Sequence, residues 1–218
     1  MTYISAFMQG YENAIFAEDG VDPDSGRRYD EFVDFDSLVL KYMLEEFSMN
    51  SDCNGSSQYY VKPADSESTV AFAGPAWDYD TTFGDYAPSD RTWLLNPEWL
   101  LAGRQVGDAQ LWWPELYKKA DFFEGVCQAW RGTFSRGVRI LLGQETDETG
   151  GLLSVDEYAA AIDSSAVMNA IRWPIPHLTT GSANAARPGS TIEENLTYLK
   201  NFISRRYDYL ESIWSPQE

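Results

Sequence analysis

The chain has 218 residues, long enough for one sizeable core or two small domains, and its composition, 44% hydrophobic and 15% aromatic, argues against disorder. Thirty-four acids against sixteen bases give a formal charge of −18, and that field repels phosphate, so nucleic acid and anionic membrane surfaces are disfavoured partners. No run of 18 apolar residues and no basic segment followed by an apolar block is present, so neither a transmembrane helix nor a signal peptide is expected. Two cysteines, Cys53 and Cys127, make no disulfide framework and no zinc spacing. The single histidine, His177, sits between Pro176 and Leu178 and reads as a loop or packing residue, which leaves His-rich metal sites out.

In chain order, apolar residues at Tyr3, Ile4, Phe7, Met8, Tyr11, Ala14 and Ile15 predict a helix over 2–17 with one buried face. Residues 18–31 are turn-rich. A second helix begins at Asp34 or Asp36, either of which can cap it, and carries Leu38, Val39, Tyr42, Met43 and Phe47. It is expected to end with Asn50 in the left-handed conformation. Residues 58–62 and 69–73 are β-like and 63–68 form a polar turn, so a hairpin is expected. Residues 88–110 read as irregular, with a short helix around 99–101. A wide apolar stripe then runs from Trp113 to Trp130, with Pro114 in a first turn and Asp121 as a cap. Ser154 and Glu157 form a capping box for the next helix. A long final helix over 192–214 places Ile192, Leu196, Leu199, Ile203, Tyr207, Leu210 and Trp214 on one face. The tryptophans Trp112, Trp113, Trp130, Trp173 and Trp214 fall on helical faces and read as core. The expected fold is mainly α with a small central β-hairpin, as a single domain over 1–218.

The stretch GPAWDYDTTFGDYA, residues 74–87, sets three acids among four aromatic rings. Asp78 and Asp80 either bind a cation, do acid–base chemistry, or tie the loop to backbone N–H groups, the usual work of aspartate in a Pro/Gly-rich turn. A hairpin returns the chain to where it began, so the residues before its first strand and after its second, near Asp52 and Asp78, are expected side by side.

Helix, Asp in a loop, hairpin, then Asp again is the order around the active site in the C-terminal lobe of protein kinases. The generic kinase words HRD and DFG are absent. VDFDSLVLKYMLEEFSMNSD, GSSQYYVKPADS, FAGPAWDYDTTFGDY, WWPELYKKADFFEGVCQAWR, MNAIRW and the closing TIEENLTYLKNFISRRYDYLESIW resemble instead the CotH kinase family, the spore-coat-protein-H-like atypical kinases, from about Tyr11 to Trp214. The resemblance implies a kinase C-lobe-like helical fold, transfer of the γ-phosphate of ATP to protein Ser/Thr, and use of Mg²⁺. It puts Asp52 in the place of the catalytic-loop Asp and Asp78 in the place of the magnesium-binding Asp, with Asp80, second acid of the motif, also assigned to the metal. Ser57 stands five residues after Asp52, where ordinary kinases have a metal-binding Asn, and Gln58 follows; these two fall to the cofactor. It also implies a bacterial spore-coat or cell-surface setting.

No Gly-rich loop and no strand-borne lysine precede Asp52, and Lys41 lies mid-helix, a poor choice for a phosphate-binding lysine. The chain therefore reads as a C-terminal lobe whose N-terminal lobe is missing, expected to be inactive alone. Two alternatives stand: a non-catalytic interaction fragment that self-associates, and a carbohydrate-active or carbohydrate-binding protein using acid pairs beside aromatic rings.

Overall fold

The structure is a computed structural model that describes residues 2–50, 52–53, 55–85, 92–102, 111–173 and 191–215. His177 lies outside the described residues, as do 86–91 and 103–110 of the stretch expected to be irregular. The chain is mainly helical with one small antiparallel hairpin, as expected, and clusters into two compact units, Met1–Asp80 with Leu100–Ala129, and Thr81–Trp99 with Trp130–Glu218. No helix among the described residues is long and apolar enough to cross a membrane.

In the first unit, α1 (Tyr3–Phe16) starts at Thr2, whose hydroxyl accepts from the Ser5 N–H. Phe7, Tyr11, Ala14 and Ile15 are buried, whereas Tyr3 and Ile4 at the outer end of the apolar stripe are exposed. Tyr3 instead donates its hydroxyl to Asp65 at 2.6 Å. Tyr11 meets the Trp112 ring edge-on, 5.3 Å between centroids. The loop that follows is built on Asp22, which accepts from Ser25 and from Asn13.

Asp34, not Asp36, caps α2 (Phe35–Ser48) by accepting from the Ser37 N–H at 2.9 Å. The left-handed residue at its far end is Met49, φ 56°, rather than Asn50. Asn50 is fully buried and its Oδ1 accepts from the Asp52 N–H at 3.1 Å, a contact that fixes Asn50 and moves the reversal one residue back. Two short helices, α3 (Trp112–Tyr117) and α4 (Ala120–Ala129), complete this unit. Asp121 sits in the first turn of α4, where it accepts from Tyr29 at 2.8 Å. A Cβ on Gly125 would stand 2.8 Å from the Phe35 ring, so α2 and α4 approach as closely as they do because no side chain intervenes.

The hairpin is shorter than expected: β1 (Tyr60–Val61) pairs antiparallel with β2 (Phe72–Ala73), in the register Tyr60 to Ala73 and Val61 to Phe72. Two other partners take the expected ladder positions. Ala71 exchanges bonds with the chain entering α2, its N–H donating to Phe32 O and its carbonyl accepting from Asp34 N–H, each at 2.8 Å. Lys62 folds back to donate to the carbonyls of Pro63 and Ser68 and to Asp65.

In the second unit a 3₁₀ turn forms at Thr92–Leu95, ahead of the 99–101 position expected for it. A π turn over Trp130–Phe134 leads into α5 (Ser135–Leu141), followed by α6 (Val155–Arg172) and α7 (Ile192–Trp214). Both long helices open on reciprocal capping boxes, Ser154 with Glu157 and Thr191 with Glu194. Trp130 and Trp214 are fully buried with ring centroids 5.3 Å apart. Arg206, also fully buried, donates to the carbonyls of Pro97 and Trp99. Trp173 departs from the core reading: it is 60% exposed just past the end of α6.

Candidate functional site

Pairing continues one step beyond the hairpin ladder, the Gly74 N–H donating to Tyr59 O at 2.9 Å. Residues 55–58 and 75–80 therefore leave the same open end of the hairpin. Asp52 heads a tight turn in which its carbonyl accepts from the Gly55 and Ser56 N–H groups at 3.0 and 3.1 Å. That turn is fixed from below by Trp113, whose indole donates to Cys53 O at 2.7 Å.

Ser57 and Asp78 meet directly, the hydroxyl donating to Asp78 Oδ2 at 2.8 Å. Both have left-handed backbones, φ 56° and 66°, a region few residues other than glycine occupy. Such strain persists where the surroundings over-determine it and is found at sites where a side chain must be aimed. Asp52 is half-buried; Asp78 and Asp80 are exposed. Trp77 packs edge-on against Tyr59 at the same edge, 5.8 Å between centroids.

Beneath these loops lies a charged cluster that periodicity alone passes over. Lys41 and Glu45, one turn apart on α2, form an ion pair at 2.6 Å with side chains 3% and 0% exposed. Lys41 Nζ also donates to the Tyr79 hydroxyl at 3.0 Å, and Tyr79 donates on to Glu45 Oε1 at 2.9 Å, closing a triangle. Gln58 Nε2 donates to the same oxygen at 3.3 Å. Gln58 is thus drawn inward to α2, while Ser57 turns outward to Asp78. Burial, reinforced by the charge of Glu45, pushes the Tyr79 hydroxyl well above its ordinary value, so it stays protonated and donates. Glu45 Oε2 is buried with no hydrogen-bond partner among the described residues. The neighbouring Glu46 is also fully buried and accepts from the Leu101 and Ala102 N–H groups at 2.5 and 2.8 Å. The signal in the sequence was an acid and a base four apart beside the apolar stripe of Leu38 and Tyr42.

The site therefore joins Ser57 to Asp78, sets Asp52 at the head of the same turn, ties Gln58 and Tyr79 to one carboxylate, and leaves Asp80 exposed in the turn beyond. The side chains of Ser57, Asp78, Asp80 and Asp52 are hard oxygen donors, a set suited to magnesium rather than to a soft metal. Among the described residues no three His, Cys, Asp or Glu gather into a metal cage. Magnesium commonly takes only one or two protein carboxylates and completes its shell with phosphates and water, so these residues fit that ion in company with a nucleotide.

No curated protein and no solved structure matches the chain. The model of the family described as CotH kinase protein matches residues 1–210. With that match running over nearly all of its length, this chain belongs to the CotH kinase family and is an atypical kinase-like protein.

Proposed function

We propose that the chain carries the phosphoryl-transfer acids of a CotH-type protein kinase that phosphorylates Ser or Thr of an acceptor protein. Asp52 orients the acceptor hydroxyl and takes its proton, Asp78 supplies the carboxylate for a divalent metal, and Ser57 holds Asp78 in place. Gln58 and Asp80 belong to the same cofactor-facing loops. Bound magnesium and ATP would supply the transferable phosphoryl group and the neutralising charge. What carries the reading is the 2.8 Å bond from Ser57 to Asp78. It joins the loop of one family acid to the other across the end of the hairpin, where a kinase needs its metal ligands and its base together. Transfer would then rest on positioning and electrostatics. The family also suggests a spore-coat setting, which we adopt as part of the proposal.

Calorimetric titration with Mg²⁺ and ATP tests this on wild type, Asp78→Asn and Asp52→Ala. Weak binding by wild type, loss in Asp78→Asn and retention in Asp52→Ala are expected. Superimposable isotherms for wild type and Asp78→Asn would assign Asp78 to bracing its loop. A second reading, self-association through an interaction surface, draws on α6, which leaves Ile162, Val167, Met168 and Ile171 exposed. Sedimentation over a range of concentrations decides it.

A further inference from the structure

Ser57 and Asp78, the two left-handed residues of the site, share a local arrangement. Each is followed immediately by a side chain anchored on Glu45: Gln58 after Ser57, Tyr79 after Asp78. Glu45 is held in turn by Lys41 on its own helix. A hydrogen bond, 3.3 Å from Gln58 and 2.9 Å from Tyr79, pins each loop at the residue next to its strained one, and both bonds end on the same oxygen atom.

We propose that Glu45, with Lys41 and Tyr79, is a positioning device that sets the backbone at Asp78 and Ser57 and so aims the Asp78 carboxylate. These residues touch neither metal nor acceptor in this scheme; they act through the residues beside them. The geometry favours this over simple core filling. A buried ion pair is a poor source of stability compared with apolar packing of the same volume, whereas it fixes direction through several oriented bonds. Here three donors from three segments converge on Glu45 Oε1. Two of those segments carry the residues that meet as Ser57 and Asp78. The inference rests on the reading of Asp78 as a metal ligand only for its functional consequence; the aiming of the loop is a separate, measurable property.

The test uses Tyr79→Phe, which removes one oxygen and leaves the ring. Trp77 is the reporter, being adjacent to Asp78 and 56% exposed. The chain is labelled with 5-fluorotryptophan and the position-77 fluorine resonance is assigned with Trp77→Phe. Affinity for Mn²⁺ in the presence of ATP is measured alongside, with Asp78→Asn for comparison. In Tyr79→Phe, far-UV circular dichroism should be unchanged, the position-77 resonance should shift or broaden, and Mn²⁺–ATP affinity should fall about tenfold, as expected for a lost bond to a charged group. An unmoved resonance with wild-type affinity overturns the proposal. If Asp78→Asn binds Mn²⁺–ATP as wild type does, the metal reading fails, and the resonance alone then decides whether the loop is positioned by Glu45. Gln58→Ala releases the other arm and is read in the same way, standing in if Tyr79→Phe does not fold.

Discussion

Removing Lys41 should destabilise the protein far more than deleting a charge from an ordinary helix face. At 2.6 Å and an effective dielectric constant of 20, the Lys41–Glu45 attraction is roughly 6 kcal/mol, set against a desolvation cost of several kcal/mol for each ion. The net worth of the pair is therefore small, but breaking it is not. Lys41→Met leaves Glu45, with no exposed surface, as an uncompensated buried charge, a loss of about 3–5 kcal/mol. Glu45→Gln on the same background removes that charge and keeps an oxygen for Tyr79 and Gln58. The double variant should thus recover about 2–3 kcal/mol relative to the sum of the singles. Urea unfolding of the four proteins, followed by tryptophan fluorescence and far-UV circular dichroism, measures the cycle. A Lys41→Met cost below about 1 kcal/mol, the range of an exposed i,i+4 pair, or strictly additive singles, would refute the reasoning.

Gly84→Ala should cost about 1–3 kcal/mol, because φ is +74° there and the new Cβ would stand 2.6 Å from Phe202 and 2.7 Å from the Tyr198 hydroxyl; thermal melts that coincide with wild type would contradict this. The Ser25 hydroxyl, helped by Asn13 and the N–H groups of Asp24 and Ser25 against the opposing effect of burial, holds the Asp22 carboxyl below its usual range. A depressed folded-state pKa stabilises above the unfolded value, near 3.8, and that stability fades as pH falls below it. Asp22→Asn should therefore flatten the acid limb of a stability–pH curve below about pH 4 and leave its shape unchanged near neutrality. Finally, these 218 residues should label a Ser-rich acceptor only weakly with radiolabelled ATP and Mg²⁺, since no Gly-rich loop or strand-borne lysine precedes Asp52 to fix the β and γ phosphates. Robust labelling that Asp52→Ala abolishes would show that residues 1–50 perform that work.

Elements specified by local chemistry were legible in the sequence. The final helix begins and ends where its apolar stripe from Ile192 to Trp214 places it, and α6 opens on the Ser154–Glu157 box, because those signals are carried within the helices themselves. The errors arise where a specific contact outweighs propensity. Asn suits the left-handed position better than Met, yet Asn50 is committed to the interior and Met49 takes the turn. The hairpin strands are trimmed because Ala71 serves Phe32 and Asp34, more than thirty residues earlier. In the site, the order of the acids around the hairpin was readable. The Lys41–Glu45–Tyr79 triangle was not, since a lysine in mid-helix reads as solvated until the residue 38 positions later that covers it is known. Ser57 falls to the cofactor by its position after Asp52; that its hydroxyl turns to Asp78 depends on a backbone conformation no propensity would assign to serine.

The triangle also bears on the order in which the molecule assembles. Lys41 and Glu45 are brought together by a single turn of helix, a local event that needs no loop to close. Gln58 and Tyr79 reach Glu45 across 13 and 34 residues, and Ser57 reaches Asp78 across 21, so each of those contacts carries a loop-closure cost. The acceptor is ready before the loops arrive. Substitutions at Lys41 should then slow folding, while Tyr79→Phe and Ser57→Ala should mainly speed unfolding. By the same logic amide exchange at 55–58 and 76–80 should run through local opening while α2 stays closed.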